Sequence, residues 1–211
     1  MKQFILTICL SLSALMLKAQ DMATLFTSIP DQKIPQLENA WRKDLIDLYN
    51  SGKEARLKNN MNGFSVLRKL TADYLLIETT ERSQVEMKLL PLINNTHIIC
   101  MITTVDGPVA DSRVEFYTTE WKPLVAEDMF APLSRKDFLK EVSGNPEDTA
   151  RQYALSRLDM ELIHYQLNPD DLTLTATYTT PQYLNKEDRE KVEPFLRSSS
   201  ITMRWEKYHF K

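Results

Sequence analysis

Three histidines, two aspartates flanking a short turn and one cysteine outside the N-terminal apolar run are the residues best equipped for chemistry. His97, His164 and His209 fall on three separate predicted strands. No His-x-His, His-Glu-x-x-His or Cys-x-x-Cys spacing sets two ligands on one element, so a metal site would have to be assembled by the fold. No cofactor or metal is therefore expected. Asp106 and Asp111 end the segment Asp106-Gly107-Pro108-Val109-Ala110-Asp111. Two carboxylates across such a loop could hold a cation or work as an acid/base pair if buried. Turn carboxylates more often bond nearby backbone or water, and that role is favoured here.

Nucleophilic chemistry has less to build on. Cys100 sits in His97-Ile98-Ile99-Cys100-Met101-Ile102, an apolar strand where a small thiol packs as a hydrophobe. Ser65, Ser134 and the run from Ser198 to Ser200 lie outside any Gly-x-Ser-x-Gly turn, and Ser134 suits a helix cap. Four scattered glycines cannot form a phosphate-cradling loop.

The elements that must position these groups follow from pattern. Met1-Lys2-Gln3 precedes an apolar run from Phe4 to Leu17, then Lys18-Ala19-Gln20. This reads as an export signal over 1–19 cut after Ala19, too short for a bilayer span. The remaining 20–211 suits one α+β domain, with 20–133 and 134–211 as possible subdomains. Cleavage removes Cys9 and leaves Cys100 alone, which rules out an intramolecular disulfide. The whole 211-residue chain carries a net charge of −3 with no basic run, which disfavours nucleic acid as a partner.

Met22 to Phe26 reads as a short apolar arm. A helix is expected from near Pro35, with Leu37, Trp41, Leu45 and Leu48 inside and Arg42, Lys43, Asp44 and Asp47 on the wet face. Residues 53 to 120 alternate in short runs separated by polar breaks, the pattern of an antiparallel meander. A loop follows from Trp121 to Leu133, then helical turns after Ser134 and Glu147. Asn168-Pro169-Asp170-Asp171 predicts a hairpin turn, Asn185 to Leu196 a charged helix, and Ser200 to Phe210 a closing strand. Tyr117-Thr118-Thr119 and Tyr178-Thr179-Thr180 occur in similar settings. Internal duplication and a shared preference for β-branched and aromatic residues in strands both account for that.

The surface offers more than the chemistry does. Thr173, Thr175 and Thr177 alternate with Leu174 and Ala176 and make a threonine stripe, which is a solvated face, a recognition face or an edge open to another strand. Trp121, Tyr183 and Tyr208 are aromatic candidates for the rim of such a site.

Three segments carry a family likeness: Arg42 to Gly52, Phe116 to Leu124 (Phe-Tyr-Thr-Thr-Glu-Trp-Lys-Pro-Leu) and Tyr178-Thr179-Thr180-Pro181-Gln182-Tyr183-Leu184. Together they resemble a family of uncharacterised exported proteins, a domain of unknown function, from Bacteroidales. The resemblance covers the whole mature chain and implies a Gram-negative envelope location. It assigns no activity to any residue.

Together these features favour a non-enzymatic periplasmic or cell-envelope binding protein whose partner is another envelope protein or a glycan. Two alternatives stay open. One is a hydrolytic or metal-dependent enzyme using carboxylates and histidines from separate strands. The other is a carrier of a small apolar ligand.

Overall fold

Met22, Leu25 and Phe26 wind the segment after Asp21 into a helix rather than an extended arm: α1 (Met22–Ser28), N-capped by the Asp21 carboxylate, which accepts the Thr24 N–H at 2.8 Å. The computed structural model describes residues 21–141, 149–197 and 200–211. The expected leader with its cleavage point, Cys9, the expected helix start at Glu147 and Ser198 lie outside them.

The second helix, α2 (Asn39–Asn50), starts later than Pro35 and buries Leu45 and Ile46. Arg42, expected on its wet face, is 1% exposed instead. Its guanidinium donates to the carbonyls of Thr27, Ile29 and Leu37 and to the carboxylate of Asp31. The link from α1 leaves carbonyls that cannot reach water, and the five-donor fork of an arginine satisfies several at once.

The predicted meander is present in full. Strands β1 (Arg56–Lys58), β2 (Phe64–Leu70), β3 (Tyr74–Thr80), β4 (Ser83–Pro91), β5 (His97–Asp106) and β6 (Ala110–Thr118) form an antiparallel sheet in chain order. Side chains alternate across it. Ile99 and Met101 of β5, with Val85, Met87 and Leu89 of β4, join the core under α1 and α2. Ile98, Cys100 and Ile102 enter a second core on the opposite face. The central strands are thus covered on both sides.

The loop Trp121 to Leu133 contains one 3-10 turn, Ala126–Asp128, and Ser134 caps a second, Arg135–Phe138, through a reciprocal box with Asp137. Helix α3 (Thr149–Ser156) leads to the hairpin β7 (Ile163–Leu167) and β8 (Thr173–Tyr178), turned by the Asn168 to Asp171 segment. Then follow α4 (Thr180–Tyr183), α5 (Lys186–Val192) capped by Asn185, and the strands β9 (Ser200–Glu206) and β10 (His209–Phe210). These four strands make a second antiparallel sheet, ordered β10-β9-β8-β7. Leu174, Ala176, Tyr178, Met203 and Trp205 pack it on the larger sheet.

The protein is therefore an α+β fold with N-terminal helices, an antiparallel meander and further helices in the C-terminal half. The two halves differ in element order. Tyr117 enters the core beneath the N-terminal helices and Tyr178 the core between the sheets. Among the described residues no helix is long and apolar enough to cross a membrane.

Candidate functional site

An apolar groove opens at one end of the contact between the two sheets, with a volume of about 560 Å³. That lies within the range of small-molecule sites. Its floor is Ile98 of β5 with its cross-strand partner Thr118 of β6. Leu124 and Met129 of the following loop form one wall, and Leu92, Ile93 and Asn94 of the β4–β5 turn form the other. Tyr208 of the β9–β10 turn completes it.

Backbone bonds fix this frame. Leu124 N–H donates to Phe116 C=O at 2.9 Å, and Phe210 N–H to Met129 C=O at 2.8 Å. The Trp205 indole N–H reaches Pro91 C=O at 3.0 Å. Lys207 and Tyr208 both carry positive φ, 47° and 74°, the geometry of a two-residue hairpin turn of the I′ kind. Glycine and asparagine are at home there, and a tyrosine costs on the order of 1 kcal/mol. The Tyr208 hydroxyl accepts the Ile93 N–H at 3.3 Å, so the strained residue ties the turn to the opposite wall. Ile93 is 78% exposed and Tyr208 39%. The polar groups of the lining are the Thr118 and Tyr208 hydroxyls and Asn94, whose side-chain oxygen is held by Thr96.

A second polar constellation lies inside the protein. Glu86 and Lys88, on the β4 face turned toward the second sheet, are 3% and 2% exposed. One Glu86 oxygen accepts the Tyr74 hydroxyl at 2.9 Å and the Leu167 N–H at 3.1 Å. Lys88 pairs with Asp73 at 2.9 Å and donates to Pro169 C=O at 2.8 Å. Burial raises the Glu86 carboxyl to about 7, while its two donors pull it back down. The Cys100 thiol is pushed up by burial and then by the neighbouring Glu86. The alternation of Glu86 and Lys88 with Val85, Met87 and Leu89 suggests a wet face. The contrary signal is the continuous apolar run of β5, because a strand buried on both faces needs neighbours covered on both faces.

The residues singled out from sequence are dispersed. Trp121 is buried among the helix-side residues, tilted against Tyr117 at 5.6 Å between ring centroids, and is not part of the groove lining. Tyr183 is exposed on α4. Thr173, Thr175 and Thr177 do face away from Leu174 and Ala176, but β8 is flanked by β7 and β9 and has no open edge. Thr175 meets Thr202 at 3.3 Å and Thr177 meets Ser200 at 3.0 Å, while Thr173 donates to Asp171. Only Tyr208 of this set reaches the groove.

Asp111 accepts the Ile163 N–H at 3.1 Å, which caps the outer edge of β7. Asp106, exposed at the end of β5, lies near His164 and raises its pKa, but burial outweighs this and lowers it. His97 is exposed at the start of β5, and His209 is half-buried on β10. Among the described residues no group of three or more His, Cys, Asp or Glu side chains is placed to hold a metal ion.

A family model described as "Protein of unknown function (DUF3256)" matches residues 14–210. One solved structure, of a domain of an uncharacterized protein from Porphyromonas gingivalis W83, superposes with a TM-score of 0.79 at 27% identity. The match covers 89% of this chain and 96% of that one. No curated protein matches the chain.

Proposed function

This chain belongs to the DUF3256 family of proteins of unknown function, and from that premise we propose that it is a non-enzymatic, exported envelope protein that binds the apolar portion of an amphiphile. The observation that carries the proposal is the groove built from Leu92, Ile93, Ile98, Leu124, Met129 and Tyr208. Its wall is held by a tyrosine in a left-handed turn position that glycine or asparagine would fill with less strain. Strain concentrated where a side chain meets a ligand is a recurrent property of binding sites.

Several features favour binding over catalysis. Asp106, Asp111, His97 and His164 lie outside the groove lining, and Asp111 is bonded to β7 backbone. Glu86, Lys88 and Cys100 are closed off from solvent. The chemistry of the groove also favours an apolar group over a glycan. Its aliphatic lining would gain about 0.8 kcal/mol for each methylene transferred from water, and its few hydroxyls could position one polar end.

The rim speaks against strand addition. The N–H groups of Leu92, Ile93, Asn95, Thr118, Leu124 and Met129 are already bonded within the protein, so an occupant would be held by side-chain contact. Native mass spectrometry of the mature protein mixed with single-chain amphiphiles of ten to fourteen carbons tests this. A one-to-one adduct that strengthens with chain length is expected. Adducts of equal strength for short and long chains would refute the apolar site.

A further inference from the structure

Among the described residues the outer edge of β7 meets no partner strand. Its N–H groups at Ile163, Tyr165 and Leu167 donate to the side chains of Asp111, Ser112 and Glu86 on the larger sheet. Two of these acceptors belong to exposed Asp111 and half-buried Ser112 at the start of β6, whereas Glu86 is sealed between the sheets. Lys88, two residues along, holds the turn after β7 through Pro169, and Lys69 reaches Asp170 of the same turn at 3.6 Å. The β7–β8 hairpin is thus pinned at its turn end by β4, with a further ion pair from β2.

We propose that this contact is a pH-responsive latch, in which Glu86 carries the proton and the β7–β8 hairpin is the part released. The groups around Glu86 account for its sensitivity. Tyr74 of β3 and Leu167 of β7 donate to it, Cys100 of β5 stands beside it, and Lys88 lies farther along β4. The Lys88 charge is shared with Asp73 and acts on Asp171. No cation pairs directly with Glu86 among the described residues, so its ionised form rests on two neutral donors in a buried setting, where desolvation dominates.

The sign follows from linkage. A carboxyl raised by folding from 4.5 to about 7 binds its proton more tightly in the folded state than in the unfolded one. The Glu86 contribution to stability is therefore fully present below pH 4.5, declines as pH rises toward 7 and is lost above it. The latch is firm in acid and eased above neutrality. The displacement corresponds to a change on the order of a hundredfold in the folding equilibrium, at a factor of ten for each pH unit.

The test compares the mature wild-type protein with Glu86→Gln, which keeps a carbonyl oxygen for Tyr74 and Leu167. Urea unfolding at pH 5 and pH 8 should show a fall in wild-type stability that Glu86→Gln largely abolishes. Amide exchange, corrected for intrinsic rates, should show Leu167 losing protection between those values more than β5 does. If Glu86→Gln does not fold, carbon-13 titration of the wild-type Glu86 carboxyl decides. An equal pH slope in both proteins, or a midpoint in the ordinary glutamate range, overturns the latch.

Discussion

The Tyr208 hydroxyl accepts the Ile93 N–H at 3.3 Å across 115 positions of sequence. That bond joins the β9–β10 turn of the small sheet to the β4–β5 turn of the large one. The indole of Trp205 reinforces it through Pro91. The groove exists because these two turns face each other, so its shape depends on the sheets staying docked.

The backbone at Tyr208, with φ of 74°, lets stability be separated from binding. Tyr208→Asn places a residue there that tolerates the left-handed region. Chemical unfolding should stay within about 1 kcal/mol of wild type, in either direction. Affinity for a long-chain amphiphile should fall about tenfold, because a ring and its contact area are lost. Unchanged affinity would remove Tyr208 from the site.

Arg42 should behave as a structural residue. Arg42→Met keeps much of the side-chain volume but strands the Ile29 and Leu37 carbonyls, which its guanidinium now satisfies. A loss of about 3 kcal/mol is expected in urea unfolding. Arg42→Lys should recover only part of it, since one ammonium cannot reproduce the fork. A loss below 1 kcal/mol would mean that water reaches those carbonyls.

Cys100 is fully buried and its thiol is pushed up by burial and by Glu86. It should react slowly with a thiol reagent in the native protein and quickly in denaturant. Cys100→Ala should cost about 1 kcal/mol and leave amphiphile binding intact. Fast native labelling near neutral pH would instead identify an activated thiolate and favour an enzyme.

Much of the fold is legible in the chain. The alternation from Val85 to Leu89, the apolar run of β5 and the Asn168 to Asp171 turn each map onto one element. Local propensity and tertiary packing agree there. Arg42 is misread, and the burial of Glu86 and Lys88 is not legible, for one reason: charged residues in a periodic pattern look solvated until a second layer is known to cover them. For Arg42 that layer is the nearby link from α1, and for Glu86 and Lys88 it comes from segments about 80 residues away, as the bonds of Leu167 and Pro169 to β4 show. The groove was less legible still. It draws on the β4–β5 turn, β5, β6, the loop after it and the β9–β10 turn, and no spacing rule links Ile93 to Leu124 or Tyr208. The threonine stripe was found with its correct facing, but its place in the middle of a sheet depends on pairing that single-strand periodicity does not encode.

The central claim is that the groove, and not the threonine face, is where this protein binds. The most direct measurement is fluorescence titration with 11-(dansylamino)undecanoic acid, run on wild type, Ile93→Arg and Thr175→Arg. Ile93 is largely exposed and Thr175 half-buried on the outer face, so Ile93→Arg should unfold within about 0.5 kcal/mol of wild type and Thr175→Arg close to it. The account predicts saturable, blue-shifted binding to wild type, the same affinity in Thr175→Arg, and at least a tenfold loss in Ile93→Arg. Equal binding by all three proteins, or no saturable binding by wild type, would contradict it.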